Sequence, residues 1–452
     1  MRPLRVLLVD DDQDVHAIMA AAVEHEQVEL HGASSAEEAL GKVMRIAPDL
    51  ILLDLMLPGM DGCSALRELR QRGVVAPVIV ITSHASVDSA VDAIELGAVD
   101  VLTKPVRLRP LMEMLARFRT RETAPPASPQ AVAAPTEEEG ALVGKSPQMV
   151  EVYKAVARVA GTGATVLIEG ESGTGKELIA RAIHRYSKRA GRFVAVNCAA
   201  IPETLLESEL FGHEKGAFTG ASSSKRGKLE RADAGTFLLD EVGDMPLSLQ
   251  AKILRVLDEH RVERVGGTQS LRIDVRMISA THRNLRAQVA SGAFREDLFY
   301  RLAVVTISVP PLREREGDIH LLVDHYLAAL APRVRRTFTS VHPEVYERLA
   351  QYSWPGNVRE LRNVLERSMI LSRGPVLEPS ALPELEETTT LDHPFDQLVG
   401  ELKHLDEVER GYIARVLDVS GWNQSEAARR LGIHRNTLRR KIREYRLTPS
   451  AA

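Results

Sequence analysis

The 452-residue chain is short of cysteine and of aromatic residues, and no apolar run approaches the ~20 residues that a bilayer-spanning helix requires. Two cysteines, Cys63 and Cys198, cannot supply a disulfide framework or a cysteine zinc site, so a reducing, cytoplasmic setting is the simplest expectation. Nothing at the N-terminus has the character of a signal peptide, and no internal repeat is visible. These absences argue against a secreted scaffold, a membrane protein and a solenoid. The hydrophobic (44%) and charged (27%) fractions are ordinary for a globular chain. The length allows about three domains of ~150 residues, and a net charge of −4 averages over regions of opposite character.

Two stretches divide the chain. Residues 121–140 hold Pro125, Pro126, Pro129 and Pro135 among Ala and Ser, with Glu137, Glu138 and Glu139 close behind, too little apolar area to fold alone. Residues 374–394 carry Pro375, Pro379, Pro383 and Pro394 around three threonines and read as a second linker.

In residues 1–120, short apolar runs at Val6–Val9, Leu50–Leu53, Val78–Ile81 and Val101–Leu102 alternate with amphipathic helical stretches, the pattern of a parallel sheet wrapped by helices. Functional groups in such folds sit at the strand C-termini, and these ends carry Asp10 and Asp11, Asp54, Thr82, and Lys104. Clustered carboxylates repel unless a hard cation lies among them, so Asp10, Asp11 and Asp54 imply Mg²⁺ on oxygen ligands. A carboxylate facing that ion is a nucleophile toward a phosphoryl group. Asp54 is assigned that role, with Lys104 and Thr82 contacting the new phosphoryl oxygens.

Through Val9-Asp10-Asp11, Asp54 with Pro58-Gly59-Met60-Asp61-Gly62, Thr82-Ser83 and Lys104-Pro105, this region resembles the receiver domain of two-component response regulators, a flavodoxin-like fold. The resemblance implies phosphoryl transfer from a sensor histidine kinase to Asp54, with Mg²⁺ held by Asp10, Asp11, Asp54 and the Met56 carbonyl. Receivers often carry an aromatic switch residue three positions before the lysine. Here that residue is Val101, so an aromatic rotation is not expected.

In residues 141–373, the apolar run Val166–Glu169 leads into Gly170, Glu171, Ser172, Gly173, Thr174, Gly175, Lys176 and Glu177 and then a helical pattern, a P-loop in its proper context. Its glycines let backbone N–H groups curl around phosphate oxygens, and Lys176 reaches the β and γ phosphates. Glu177 replaces the usual Ser/Thr, which removes a Mg²⁺-binding hydroxyl. A second apolar strand ends in Asp240 and Glu241: Asp240 suits Mg²⁺ through water, and Glu241 suits polarisation of the attacking water. Arg295 and Arg301 lie six residues apart, placed either for plain salt bridges or, in a ring, for a neighbour's γ-phosphate.

Between the P-loop and the acidic strand end stands Gly216-Ala217-Phe218-Thr219-Gly220-Ala221, four of whose six residues are Gly or Ala, so that the backbone turns sharply and Phe218 and Thr219 project. With this hexapeptide intact, the region resembles the AAA+ core of sigma-54-dependent, NtrC-like transcription activators: a P-loop α/β ATPase whose helical lid covers about 312–373. The resemblance implies that Arg295 and Arg301 are trans-acting arginine fingers, that Arg359 within Trp354–Leu361 is the sensor II arginine, and that Thr281 is the sensor I position. It further implies that Asn197 is a switch residue hydrogen-bonded to Glu241. The hexapeptide would contact sigma-54 RNA polymerase, and the chain would be a homo-oligomer, a dimer becoming a hexameric ring.

In residues 395–452, Ala427, Ala428 and Leu431, a Gly432-Ile433 turn, and Leu438 and Ile442 form a helix-turn-helix pattern. The other face is basic. The segment resembles a Fis-type helix-turn-helix, an all-α domain for double-stranded DNA at upstream activator sites, with Arg435, Asn436, Arg439, Arg440 and Arg443 as candidate contacts. The sequence thus reads as an α/β multidomain response regulator that needs ATP and Mg²⁺ and touches no membrane. Two rivals are weighed: a AAA+ remodeller of another protein, opposed by the helix-turn-helix and the hexapeptide, and a regulator working with a different sigma factor, opposed by the intact hexapeptide.

Overall fold

The first domain is built on five strands, the central three buried along nearly their whole length, so that they read as apolar runs rather than alternating ones, and the two edge strands only partly buried. The five are β1 (Leu4–Val9), β2 (Val28–Ala33), β3 (Leu50–Asp54), β4 (Val78–Thr82) and β5 (Asp100–Thr103), joined through the helices α1 (Gln13–Val23), α2 (Ala36–Ile46), α3 (Gly62–Gln71) and α4 (Val87–Glu95). The sheet is parallel in the order β2-β1-β3-β4-β5, the doubly wound arrangement expected. Sequence reading missed β2, whose partly exposed edge position leaves it no continuous apolar run. The structure, a computed structural model, describes residues 3–23, 27–83, 86–106, 111–112, 115, 118, 142–218, 221, 223–334, 336, 338, 340–372, 374–383, 385, 405–445 and 447. The linker expected at 121–140 lies outside them.

The central domain begins with α5 (Pro147–Ala160) and builds a second parallel sheet from β6 (Val166–Glu169), β7 (Phe193–Asn197), β10 (Thr236–Asp240), β13 (Arg276–Thr281) and β14 (Val305–Ser308), in the order β14-β6-β13-β10-β7. Two short antiparallel pairs stand apart from it: β8 (Gly212–His213) with β9 (Lys225–Arg226), and β11 (Arg261–Glu263) with β12 (Ser270–Arg272). The helix after the P-loop is α6 (Lys176–Tyr186). Burial of α4 residues Val87, Ala90 and Val91 in one cluster with Met149, Val152, Tyr153 and Val156 of α5 joins the first domain to the second. Polar contacts flank this seam. Lys154 Nζ lies 2.6 Å from Asp100 Oδ1, Lys188 Nζ lies 3.3 Å from Glu95, and the Tyr186 hydroxyl bonds Asp88.

Beyond β14 the helices α7 (Asp318–Val334), α8 (Pro343–Gln351) and α9 (Asn357–Leu371) enclose a small core around Trp354, whose indole N–H donates to Leu349 O at 2.8 Å. The stretch expected to open a linker at Gly374 instead starts inside this lid. Val376–Leu377 pairs with Ser340–Val341, and Leu377 and Ala381 are buried in the lid core. Proline content misled here because a two-residue strand and a single 3₁₀ turn at Pro379–Ala381 use those prolines without breaking the fold.

Residues 386–452 form a separate unit, whose helices α10 (Leu405–Val419), α11 (Gln424–Arg430) and α12 (Arg435–Glu444) share a core of Ile413, Leu417, Ala427, Ala428 and Leu438. Gly432 sits between α11 and α12 at φ +67°, where a side chain would be strained.

Both cysteines are packing residues. Burial pushes the Cys63 thiol up to about 11 and the Cys198 thiol up to about 12, with Asp92 and Asp240 respectively adding to it. Because the thiolate is the reactive form, both are predicted to react with an aromatic disulfide reagent at pH 8 at least about tenfold more slowly in the native protein than after denaturation. A stopped-flow comparison of the two states checks this.

Candidate functional site: two lysine–carboxylate centres and a basic helix

At the C-terminal edge of the first sheet, Asp10 and Asp54 are buried and Asp11 is exposed. Lys104 Nζ lies 2.8 Å from Asp10 Oδ2 and hydrogen-bonds Asp10 Oδ1 at 3.0 Å and Asp54 Oδ2. Burial opposes the Lys104 charge, but its hydrogen bonds to Asp10 and Asp54 outweigh it and raise its pKa. Backbone N–H groups hold one oxygen of each carboxylate: Met56 N donates to Asp54 Oδ1 at 2.9 Å, and Asp12 N to Asp10 Oδ1 at 3.0 Å. Thr82 is buried at the end of β4, opposite Thr103 of β5, and Val101 is buried two strand positions earlier, opposite Val80. The three carboxylates offer oxygens within 4.8 Å of one another, a donor set that fits a hard divalent cation.

The second sheet repeats the plan. Its P-loop leaves β6 and enters α6, with Gly173 and Gly175 at φ +79° and +99°. A Cβ at Gly173 would stand 2.2 Å from Gly356 O, so the lid backbone presses directly on the loop. Lys176 is buried. Its ammonium donates to Gly170 O at 2.8 Å and Glu171 O at 3.1 Å and lies 3.7 Å from Glu241 Oε1. Burial lowers the Lys176 pKa, while burial and the neighbouring Glu241 raise that of Asp240. Thr174 is buried with its hydroxyl on Glu171 O, and Glu177 is turned outward to Arg181 at 2.6 Å.

Three lid side chains reach Glu171 and Ser172 of the loop, beside Arg315, whose Nη2 donates to Thr174 O at 2.9 Å. Arg359 Nη1 donates to Ser172 Oγ at 3.0 Å, which places the expected sensor II arginine beside the P-loop. Sequence reading passed over the other two. Asn357, fully buried at φ +53°, donates to Glu171 Oε2 at 3.0 Å and Ser172 O at 3.1 Å and accepts from Leu312 N; Arg313 pairs with Glu171 at 2.6 Å. Asn357 stood in the quoted Trp354–Leu361 motif, but only the charged Arg359 drew attention.

Thr281 ends β13 fully buried, its hydroxyl accepting from Arg283 N at 3.0 Å. The expected Asn197–Glu241 hydrogen bond is absent. Asn197 lies opposite Asp240 in the β7–β10 register, and its Nδ2 donates to Asp240 Oδ2 at 2.9 Å. Glu241, in the left-handed region at φ +53°, turns the other way, onto His282. Arg295 and Arg301 are both exposed; Arg295 pairs with Asp297 at 2.7 Å, and Arg301 lies 3.1 Å from Asp258.

The hexapeptide rises from β8. Gly216 N donates to Ala221 O at 2.9 Å, which closes the loop, and Gly216 takes φ +85°. Phe218 is 42% exposed and packs edge-on against His213, so it projects less freely than its glycine neighbours suggest. Thr219 and Gly220 lie outside the described residues.

On the helix-turn-helix, α12 exposes Arg435, Asn436, Arg439, Arg440 and Arg443 along one face, with Arg439 Nε on Gln424 Oε1 at 3.1 Å. His434 caps that helix, its Nδ1 accepting from Asn436 N at 3.3 Å. Lys441 belongs to the domain's interior contacts instead, held by Glu409 at 2.5 Å.

This combination, two α/β domains with charged strand ends and a basic recognition helix, defines a phosphoacceptor–ATPase–DNA-binding regulator. Comparison with known families gives the class. Models for the response regulator receiver domain match residues 6–116, for the sigma-54 interaction domain 142–308, for the AAA+ ATPase lid domain 313–394, and for the Fis-family bacterial regulatory proteins 404–445. The chain is 43% identical to the regulatory protein AtoC of Escherichia coli K12, over 99% of this chain and 98% of that one. It is 39% identical to the DNA-binding transcriptional regulator NtrC of Klebsiella pneumoniae, over 97% and 98%. The crystal structure of NtrX from Brucella abortus superposes with a TM-score of 0.50 at 36% identity, covering 98% of this chain and 99% of that one; NtrX has also been solved with ADP and with ATP. The chain therefore belongs to the sigma-54-dependent response regulators, and its central domain is an ATP-binding AAA+ ATPase.

Gly173→Ala places a methyl group against Gly356 O on a backbone that already needs positive φ. It is predicted to weaken ATP binding by at least about tenfold with the fold intact, read by fluorescent-nucleotide titration alongside circular dichroism.

Proposed function

We propose that phosphorylation of Asp54 by a sensor histidine kinase switches this protein from a resting form into an ATP-hydrolysing ring that remodels sigma-54 RNA polymerase at promoters near its DNA sites. The observation that carries the reading is the co-occurrence, in one chain, of the buried Asp10–Asp54–Lys104 centre and the Lys176–Asp240–Glu241 centre with the closed hexapeptide loop. Asp54 attacks the donor's phosphorus, the donor's leaving group departs, and Lys104 and Thr82 face the new oxygens. Asp10, Asp11, Asp54 and the Met56 carbonyl would hold Mg²⁺, which would supply charge neutralisation there; at the second centre Asp240 is the residue suited to hold it.

For hydrolysis, Lys176 leaves its loop carbonyls for the β and γ phosphates. Glu241 polarises water, accepting its proton as the water oxygen bonds the γ-phosphorus and the bond to ADP breaks. Thr281 and Arg359 border the same nucleotide. Arg295 and Arg301, both exposed, suit a neighbour's γ-phosphate, which is why a hexameric ring assembled from dimers is the active form. Movement of the hexapeptide transmits the cycle to the sigma factor, with Phe218 and Thr219 as its contact residues. Arg435, Asn436, Arg439, Arg440 and Arg443 hold the upstream DNA.

The seam between α4 and α5 favours relief of inhibition over direct ring-building as the route of control. The α4 face of the first domain is here packed against α5 of the ATPase, so a shift of that face on phosphorylation would release the motor. Asp100→Lys sets a cation against Lys154 and is predicted to raise phosphodonor-independent ATP turnover several-fold; unchanged turnover would count against this route.

Promoter opening on supercoiled DNA by sigma-54 holoenzyme tests the whole reading. Opening is predicted with ATP and a small-molecule phosphodonor, and not for Asp54→Asn. Measurable ATP turnover without opening in either state would instead favour remodelling of another protein.

A further inference from the structure

Glu241 leaves the sheet at a left-handed backbone position, so its carboxylate is aimed across the strand ends toward β13 rather than back at β7. There both oxygens meet fixed partners. Oε2 accepts from the backbone N–H of His282 at 3.1 Å and from its ring Nδ1–H at 2.6 Å, and Oε1 lies 3.7 Å from Lys176 Nζ. Asn197 is committed elsewhere at both ends of its amide. Nδ2 donates to Asp240, and Oδ1 accepts from Ala199 N and Ala200 N, each at 3.0 Å. Asp244, which completes a cluster with Glu241 and His282, is taken up by an ion pair with Arg283. Within this group the imidazole is the side chain that sets where the Glu241 carboxylate points.

We propose that His282 is the positioning residue of the hydrolytic base: its ring N–H and backbone N–H together hold Glu241 in the orientation from which it polarises water, while Asn197 orients Asp240. When nucleotide draws the Lys176 ammonium away, Glu241 loses its contact through Oε1 and keeps the two through Oε2. The His282 contact is therefore the one that persists through turnover. A carboxylate held by two donors on one oxygen loses little orientational freedom, and losing the ring donor allows it to swing about its own χ angles.

This inference rests on Glu241 being the base, so the test begins with Glu241→Gln in the full-length protein with phosphodonor present. Loss of turnover with ATP binding retained upholds that assignment; wild-type turnover would remove it, and the role of His282 with it. His282, whose side chain is 42% exposed, tolerates truncation without loss of core. His282→Ala is expected to lower kcat about tenfold with KM for ATP within about twofold. His282→Asn, which restores a side-chain N–H, is expected to recover most of the loss. In a Glu241→Asp background, where the shorter carboxylate no longer reaches the ring, His282→Ala is expected to add less than about twofold. Wild-type kcat in His282→Ala, no recovery in His282→Asn, or fully additive losses in the double variant would each overturn the proposal.

Discussion

One lysine ammonium set against two strand-end carboxylates is the interaction on which both α/β domains depend. Parallel strands bring their functional side chains to a single edge, and buried acids at that edge repel one another unless a cation stands between them. In the first sheet Lys104 bridges Asp10 and Asp54; in the second, Lys176 sits beside Glu241 with Asp240 adjacent. The arrangement is poised because each lysine is also the natural partner of a phosphoryl group, so arrival of phosphate redistributes charge that the resting fold has already balanced.

The two ammoniums differ in how they are held. Lys104 hydrogen-bonds two carboxylates, and its charge is favoured despite burial. Lys176 rests mainly on loop carbonyls, and burial disfavours its charge. A nucleotide therefore meets a lysine with weak resting commitments, whereas the proposed phosphorylation of Asp54 would have to reorganise a tight ion cluster. The lid adds a physical link: Asn357, Arg313 and Arg359 bond Glu171 and Ser172 and so tie the lid to the P-loop.

Most of this was legible in the sequence, because strand-end acids, P-loop glycines and the hexapeptide are read from type and spacing. The four strands marked by apolar runs in the first domain, the P-loop strand and the helix-turn-helix all form where those patterns place them. What escaped depends on register across strands. Asn197 faces Asp240 because β7 and β10 align them, and no spacing along the chain reveals that alignment. His282 carries no motif of its own; its importance comes from the left-handed turn at Glu241, a backbone conformation that residue type did not announce. The stretch after Gly374 was misread because its prolines suit both a linker and a short lid strand.

The central claim is that Asp54 controls an ATPase whose sites are completed between chains. The most direct measurement is ATP turnover per chain as a function of protein concentration, with and without phosphodonor. The account predicts turnover that rises steeply with concentration, reaching its plateau at lower concentration when the donor is present and losing that shift in Asp54→Asn. Turnover per chain that is constant with concentration and indifferent to the donor would contradict it.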